Sequence, residues 1–220
     1  SMMNVADDQL AIEEKGIYSI EKFLSARRLM YWQVYLHKTG VVAEQMIIKV
    51  LQRAKMLSKS RVSLDVSNPL NFFLNSTIKP SMLTTAILDK FSMLDDFDMV
   101  SALKSWQNHS DFILSSLSKR LVNRQLLKIK YCSKKGVKPA LKSAIKQCQN
   151  HLHMPDSALP FFIFEGEVSN VGYSPKEQPI LILHKNGKTS VLKKTSKLLN
   201  IKALSKEDKR FYICSPKTLL

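Results

Sequence analysis

Two cations on an apolar stripe mark where this chain could do chemistry. Over residues 19–55, Ile20, Phe23, Leu24, Met30, Tyr31, Val34, Val41, Val42, Met46 and Val50 recur at helical spacing, and Arg27 and Lys38 fall on the same side. A guanidinium turned toward a core needs a counter-charge. Either a carboxylate such as Glu14 or Glu21, or a bound anion, is therefore expected opposite Arg27. Arginine suits phosphate because its fork donates two parallel hydrogen bonds, and Tyr35 offers a flat face and one hydroxyl. On one straight helix, at about 100° per residue, Arg27, Tyr31 and Lys38 lie within about 40° of each other, while Tyr35 and His37 lie about 200° apart. Two separate surfaces are implied.

Other reactive residue types form weaker sets. Cys132, Cys148 and Cys214 are odd in number and show no paired short spacing, which argues against structural zinc and a disulfide framework. The set His151, His153 and Asp156 matches no helical ligand pair. Asp95, Asp96 and Asp98 read as helix caps, because negative charge stabilises a helix N-terminus. Ser101 and Ser110 lack a nearby His-acid partner, and Gly166, Gly172 and Gly187 do not make a phosphate-cradling loop. No nucleophile emerges.

The elements that must position these residues divide near residue 126. The first half reads as helical: one helix over 19–55, a loop at Asn68-Pro69, a helix after Ser81, another capped by Asp95 or Asp96, and a third restarting at Ser110-Asp111. From residue 127 the period changes. LLKIKYC alternates like a strand, a helix begins near Pro139, and LPFFIFEGEV reads as a buried strand. PILILHKNGKTSVLK reads as a hairpin turning on Asn186-Gly187 in type I′ geometry, followed by a short helix SKLLNIKALS and a closing strand RFYICS. The fold class is α+β, with an all-helical part, 1–126, and a small basic α+β part, 127–220, whose sheet is mostly antiparallel.

Charge is unevenly spread over the 220 residues. Of a formal +16, the stretch 126–220 carries 18 Lys or Arg against 6 Asp or Glu. An anionic partner follows: a nucleotide, a nucleic acid or an acidic surface. In the nucleic-acid alternative, Lys134, Lys135, Lys185, Lys188, Lys193 and Lys194 grip the backbone while Phe161, Phe162, Phe164 and Tyr173 stack bases. No stretch reads as a membrane span or a signal peptide, so a cytoplasmic location and no membrane partner are expected.

Beyond these patterns, the segment from Phe23 through Tyr35, Leu36, His37 and Lys38 to Ala54, with LDDFDMVSALKSW and KRLVNRQLLKIK after it, resembles the C-terminal portion of HD-superfamily phosphohydrolases. The group it is most similar to is related to dNTP triphosphohydrolases and dGTPases, and the resemblance covers about residues 8–130. It implies metal-assisted hydrolysis of nucleotide phosphates. In that family pattern the arginine matching Arg27 contacts substrate phosphates, and the tyrosine matching Tyr35 packs beside the sugar. The pair matching His37-Lys38 faces a regulatory nucleotide site at a subunit interface, with Arg124 nearby. The family's His-Asp dipeptide is absent from this sequence. The resemblance thus implies a C-terminal fragment, inactive alone and without a cofactor of its own. A divalent metal would belong to an N-terminal HD half, and the complete protein would be a homo-oligomer.

Overall fold

The helix expected over residues 19–55 is two helices. In the computed structural model, which describes residues 2–152, 154–177, 179–196 and 204–217, α1 (Ile17–Met30) runs into a π-helical turn (Tyr31–Tyr35) and stops. The helix α2 (Lys38–Lys59) begins beyond it. The Leu36 N–H donates to the Tyr31 carbonyl at 2.7 Å, five residues back, which is the π spacing. Leu36 then leaves helical backbone at φ −101°, ψ 21°. No Pro or Gly stands at the break, so nothing in the local sequence announces it. The calculated relation of Lys38 to Arg27 and Tyr31 is lost, because the wider turn and the stop at Leu36 reset the phase.

Two compact units make up the chain: residues 1–37 with 167–211, and residues 38–166 with 212–220. This differs from the expected division at 126. Pairing explains the difference, because a strand near the N-terminus pairs with one from the tail.

In the first unit, β1 (Met3–Ala6) and β2 (Gln9–Glu13) form an antiparallel hairpin whose turn residues Asp7 and Asp8 both have positive φ. These strands precede the helical periodicity, which begins at Ile20. Strand β2 pairs in parallel with β5 (Leu181–Leu183), and β5 pairs antiparallel with β6 (Thr189–Val191), giving the order β1-β2-β5-β6. A short helix, α9 (Leu192–Thr195), follows β6. Leu24, Tyr173, Ile182, Leu192 and Leu204 form the core of this unit, with Ile12, Ile17, Ile20 and Ile180 packed on it. The Asn186-Gly187 turn is present, but only Gly187 has positive φ, at 75°. The Gly187 N–H donates to the His184 carbonyl at 3.0 Å. That is the pattern of a longer loop with glycine in the left-handed position, in place of a type I′ turn.

Helices dominate the second unit. On α2 the expected stripe members Val41, Val42, Met46 and Val50 are buried, and Ala54 extends that face. Each large member is worth about 1.5–3 kcal/mol of removal from water. Asn68-Pro69 opens a helix, α3 (Asn68–Asn75), rather than a loop, since proline is tolerated in a first turn and Ser67 caps the end. The next helices are α4 (Thr85–Ser92), α5 (Asp96–Trp106) and α6 (Phe112–Val122). Asp95 and Asp98 form a capping box on α5, and Asp111 caps α6. Strand β3 (Lys128–Cys132) and helix α7 (Val137–Leu152) fall where the pattern put them. The LPFFIFEGEV stretch splits into α8 (Leu159–Phe162) and strand β4 (Phe164–Asn170), since a proline in the first turn starts a short helix before the aromatic run extends. Strand β7 (Asp208–Ser215) closes a three-stranded sheet in the order β3-β7-β4. The expected helix SKLLNIKALS lies mostly outside the described residues. The α+β class stands.

Candidate functional site

Arg27 sits in the last turn of α1, half-buried, on the wall of a cleft of about 820 Å³ within the first unit. Apolar side chains from the hairpin and α1, including Leu10, Ile12, Ile20 and Phe23, make most of that wall, with Ser174, Glu177 and Ser205 as its other polar residues. The Arg27 Nη1 donates to the Gly172 carbonyl at 3.1 Å, and Nη2 donates to the Tyr31 hydroxyl at 3.4 Å. Its Cζ lies 4.7 Å from the centre of the Tyr31 ring. Neither acid weighed as its counter-charge reaches it. Glu21 is buried and accepts from the Ser196 hydroxyl, and Glu14 lies 3.5 Å from His184 Nδ1. Arg27 has no carboxylate partner among the described residues, and its remaining N–H donors are available to an anion.

Tyr35 belongs with this group. Its ring centre is 5.0 Å from that of Tyr31, and the residue is 60% exposed. The two tyrosines are four residues apart, about 40° on a helical wheel with a 100° step, and the π turn keeps their rings adjacent. Other members of the expected stripe, Phe23, Met30 and Val34, are exposed rather than buried.

The expected regulatory residues fall in different units. His37 is exposed at the end of the first unit. Lys38 opens the second, with its ammonium 5.5 Å from the centre of the Tyr131 ring. Arg124, also in the second unit, is exposed just past α6 with a positive φ of 55°. Two features that no sequence signal selected for the site help to build it. Gly172 supplies a carbonyl from the far end of the chain, and the β1-β2 hairpin supplies an apolar wall.

A second polar chain in the first unit was equally illegible. His184 Nε2 lies 2.8 Å from the Ser190 hydroxyl, which lies 2.6 Å from that of Thr195. With Glu14 on Nδ1, the chain ties the β5-β6 hairpin and α9 to the segment entering α1. Glu14 and His184 line the adjoining cavity of about 280 Å³, whereas Ser190 and Thr195 do not, so the hydroxyls of the network serve to tie the elements together.

For nucleic acid, the aromatic residues are badly placed. Phe161, Phe162, Phe164 and Tyr173 are buried, leaving no open faces for bases. Among the described residues, no group of three or more His, Cys, Asp or Glu could hold a metal ion. No metal-dependent step is assigned to these side chains. His153 lies outside the described residues. No described helix is long and apolar enough to cross a membrane.

Comparison with known proteins gives this geometry a context. Residues 1–66 match the sequence family described as the HD associated region. The uncharacterized protein YwfO of Bacillus subtilis is 34% identical over 125 residues, covering 57% of this chain and 27% of YwfO. A phosphohydrolase from Bacteroides thetaiotaomicron, known from its crystal structure, superposes with a TM-score of 0.88 at 41% identity, covering 97% of this chain and 54% of that one. A hypothetical protein from Aquifex aeolicus shares the fold at a TM-score of 0.58 and 17% identity, over 100% of this chain and 47% of its own. This chain thus spans between about a quarter and about half the length of these relatives. By sequence it is related to the HD associated region, and by fold to a phosphohydrolase.

Proposed function

We propose that this chain is the C-terminal part of a metal-dependent HD-type phosphohydrolase acting on nucleotides. In that reading Arg27 donates to substrate phosphate and Tyr35 lies beside the sugar. His37, Lys38 and Arg124 belong to regulatory or assembly surfaces of a homo-oligomer. The divalent metal is held by residues of an N-terminal HD half, where it supplies Lewis acidity and an activated water. One observation carries the proposal: a half-buried guanidinium without a carboxylate partner among the described residues, held on the wall of a cleft lined mostly by apolar side chains. The similarity to a phosphohydrolase supports the choice of phosphate as its anion.

Arg27 acts by charge and geometry. Its fork is already oriented, so little reorganisation is needed when negative charge builds on a phosphoryl oxygen. The apolar wall lowers the local dielectric and strengthens that contact. A direct test compares dNTP hydrolysis by the longer protein with and without Arg27→Ala. Turnover should fall by roughly 10- to 100-fold, the worth of one charge-assisted hydrogen bond, with folding unchanged. Unchanged turnover rejects the assignment. The 220-residue chain by itself should show no metal-dependent hydrolysis, and robust activity would contradict the division of labour.

A further inference from the structure

Arg27 does not orient itself. Its side chain leaves α1 next to exposed hydrophobic residues, and a long flexible stem would sample many rotamers. Two contacts select one: the Tyr31 ring beneath the guanidinium and the Gly172 carbonyl at 3.1 Å. That carbonyl is itself tightly placed. The Gly172 and Tyr173 N–H groups both donate to the Leu204 carbonyl, at 3.0 and 3.3 Å, and the Ile180 N–H donates to the Tyr173 hydroxyl at 2.9 Å.

Position 172 is crowded for any side chain in this arrangement. A Cβ there would stand 3.2 Å from the Leu204 carbonyl oxygen, 3.2 Å from Leu204 Cδ2 and 3.2 Å from Arg28 Cδ. The two side-chain atoms can shift aside, but the Leu204 carbonyl is backbone, so relieving that contact moves the main-chain segment at Gly172 or at Leu204. Displacing the segment moves the carbonyl that accepts from Arg27.

We propose that Gly172 is a positioning residue for Arg27: its carbonyl, locked by Leu204, aims the guanidinium along the cleft, so that the tail of the chain governs whether the cation of α1 can take a phosphate. This rests on the reading of Arg27 as a phosphate ligand. It adds a requirement that reading does not contain, namely dependence on a backbone group 145 residues away. Two of the guanidinium's five N–H groups are spent on positioning, leaving the others for the ligand.

A double-mutant cycle on the 220-residue chain tests it, with dATP and inorganic tripolyphosphate as calorimetric probes. Arg27→Ala should weaken binding by roughly 10- to 100-fold, and Gly172→Ala by about 10-fold. The double variant should bind no more weakly than Arg27→Ala alone, because Gly172 acts only through the arginine. Additive losses, or no loss from Gly172→Ala, overturn the positioning role while leaving the phosphate reading intact. Loss of binding in neither single variant, or no binding by the unmodified chain, removes both. If Gly172→Ala does not fold, the unmodified chain still decides. Nitrogen-15 spectra should show separate, slowly exchanging Nη–H signals for Arg27, assigned with Arg27→Lys. A single averaged signal means the carbonyl does not hold it.

Discussion

Arg27 and Gly172, 145 residues apart, meet where an Nη1–H donates to a backbone carbonyl at 3.1 Å. The contact joins a helix that matches the HD associated region to a stretch of tail beyond that match. It also gives a long charged side chain one orientation on the wall of an apolar cleft.

Tyr31 should matter less than its neighbour on α1. Tyr31→Phe keeps the ring under the guanidinium and removes only a 3.4 Å hydrogen bond, so nucleotide affinity should change by less than about 5-fold. Tyr31→Ala removes the ring as well and should cost more. Titration calorimetry with dATP on both variants checks the order.

The second unit has its own electrostatic anchor. Arg53 donates to both oxygens of Asp111, Nε to Oδ1 at 3.0 Å and Nη2 to Oδ2 at 2.5 Å. Burial alone would raise the Asp111 pKa, but the Arg53 hydrogen bond, the Leu114 N–H and the charges of Arg53 and His109 outweigh it, leaving the pKa below the ordinary carboxylate range. A carboxyl with a depressed folded-state pKa stabilises the fold above its unfolded pKa of about 3.9, and that stability is lost as pH falls from there toward the folded value. Asp111→Asn should cost about 1.5–3 kcal/mol at neutral pH and flatten the acid limb of the stability curve. Urea unfolding at pH 7 and at pH 3 measures both effects.

Gly166→Ala should be the more damaging of two glycine substitutions. A Cβ at Gly166 would run into the Tyr212 ring, which is almost wholly buried, so overpacking should cost about 1–3 kcal/mol or more. At Gly187 a Cβ meets nothing within 4 Å, and only the positive φ is strained, at a cost of about 1 kcal/mol. Thermal melts of the two variants should rank in that order.

Thiol reactivity should separate the three free cysteines. Burial pushes the Cys214 thiol up to about 12 and raises that of Cys148, while Cys132 is partly exposed. At pH 8 the native chain should titrate one thiol rapidly with a disulfide reagent and all three only after unfolding. Mass mapping of the first adduct should find Cys132.

Periodicity and caps made much of this chain legible in its sequence. The buried face of α2, the caps at Asp95 and Asp111, the strand at Lys128–Cys132 and the presence of a turn at Gly187 are local: each depends on residues within a turn or two of each other. Arg27 and Lys38 stood out for the same reason, as charges among apolar residues at helical spacing, although Phe23, Met30 and Val34 of that stripe are exposed. What tertiary structure decided is everything that couples distant segments. The stop at Leu36 has no local breaker and follows a π turn whose aromatics stack with one another and with Arg210, 3.8 Å above the Trp32 ring. The parallel pairing of β2 with β5, and the carbonyl that holds Arg27, join residues more than a hundred positions apart. A residue pattern encodes which face of an element is apolar, but its partner is chosen only when the competing surfaces of the whole chain are buried together.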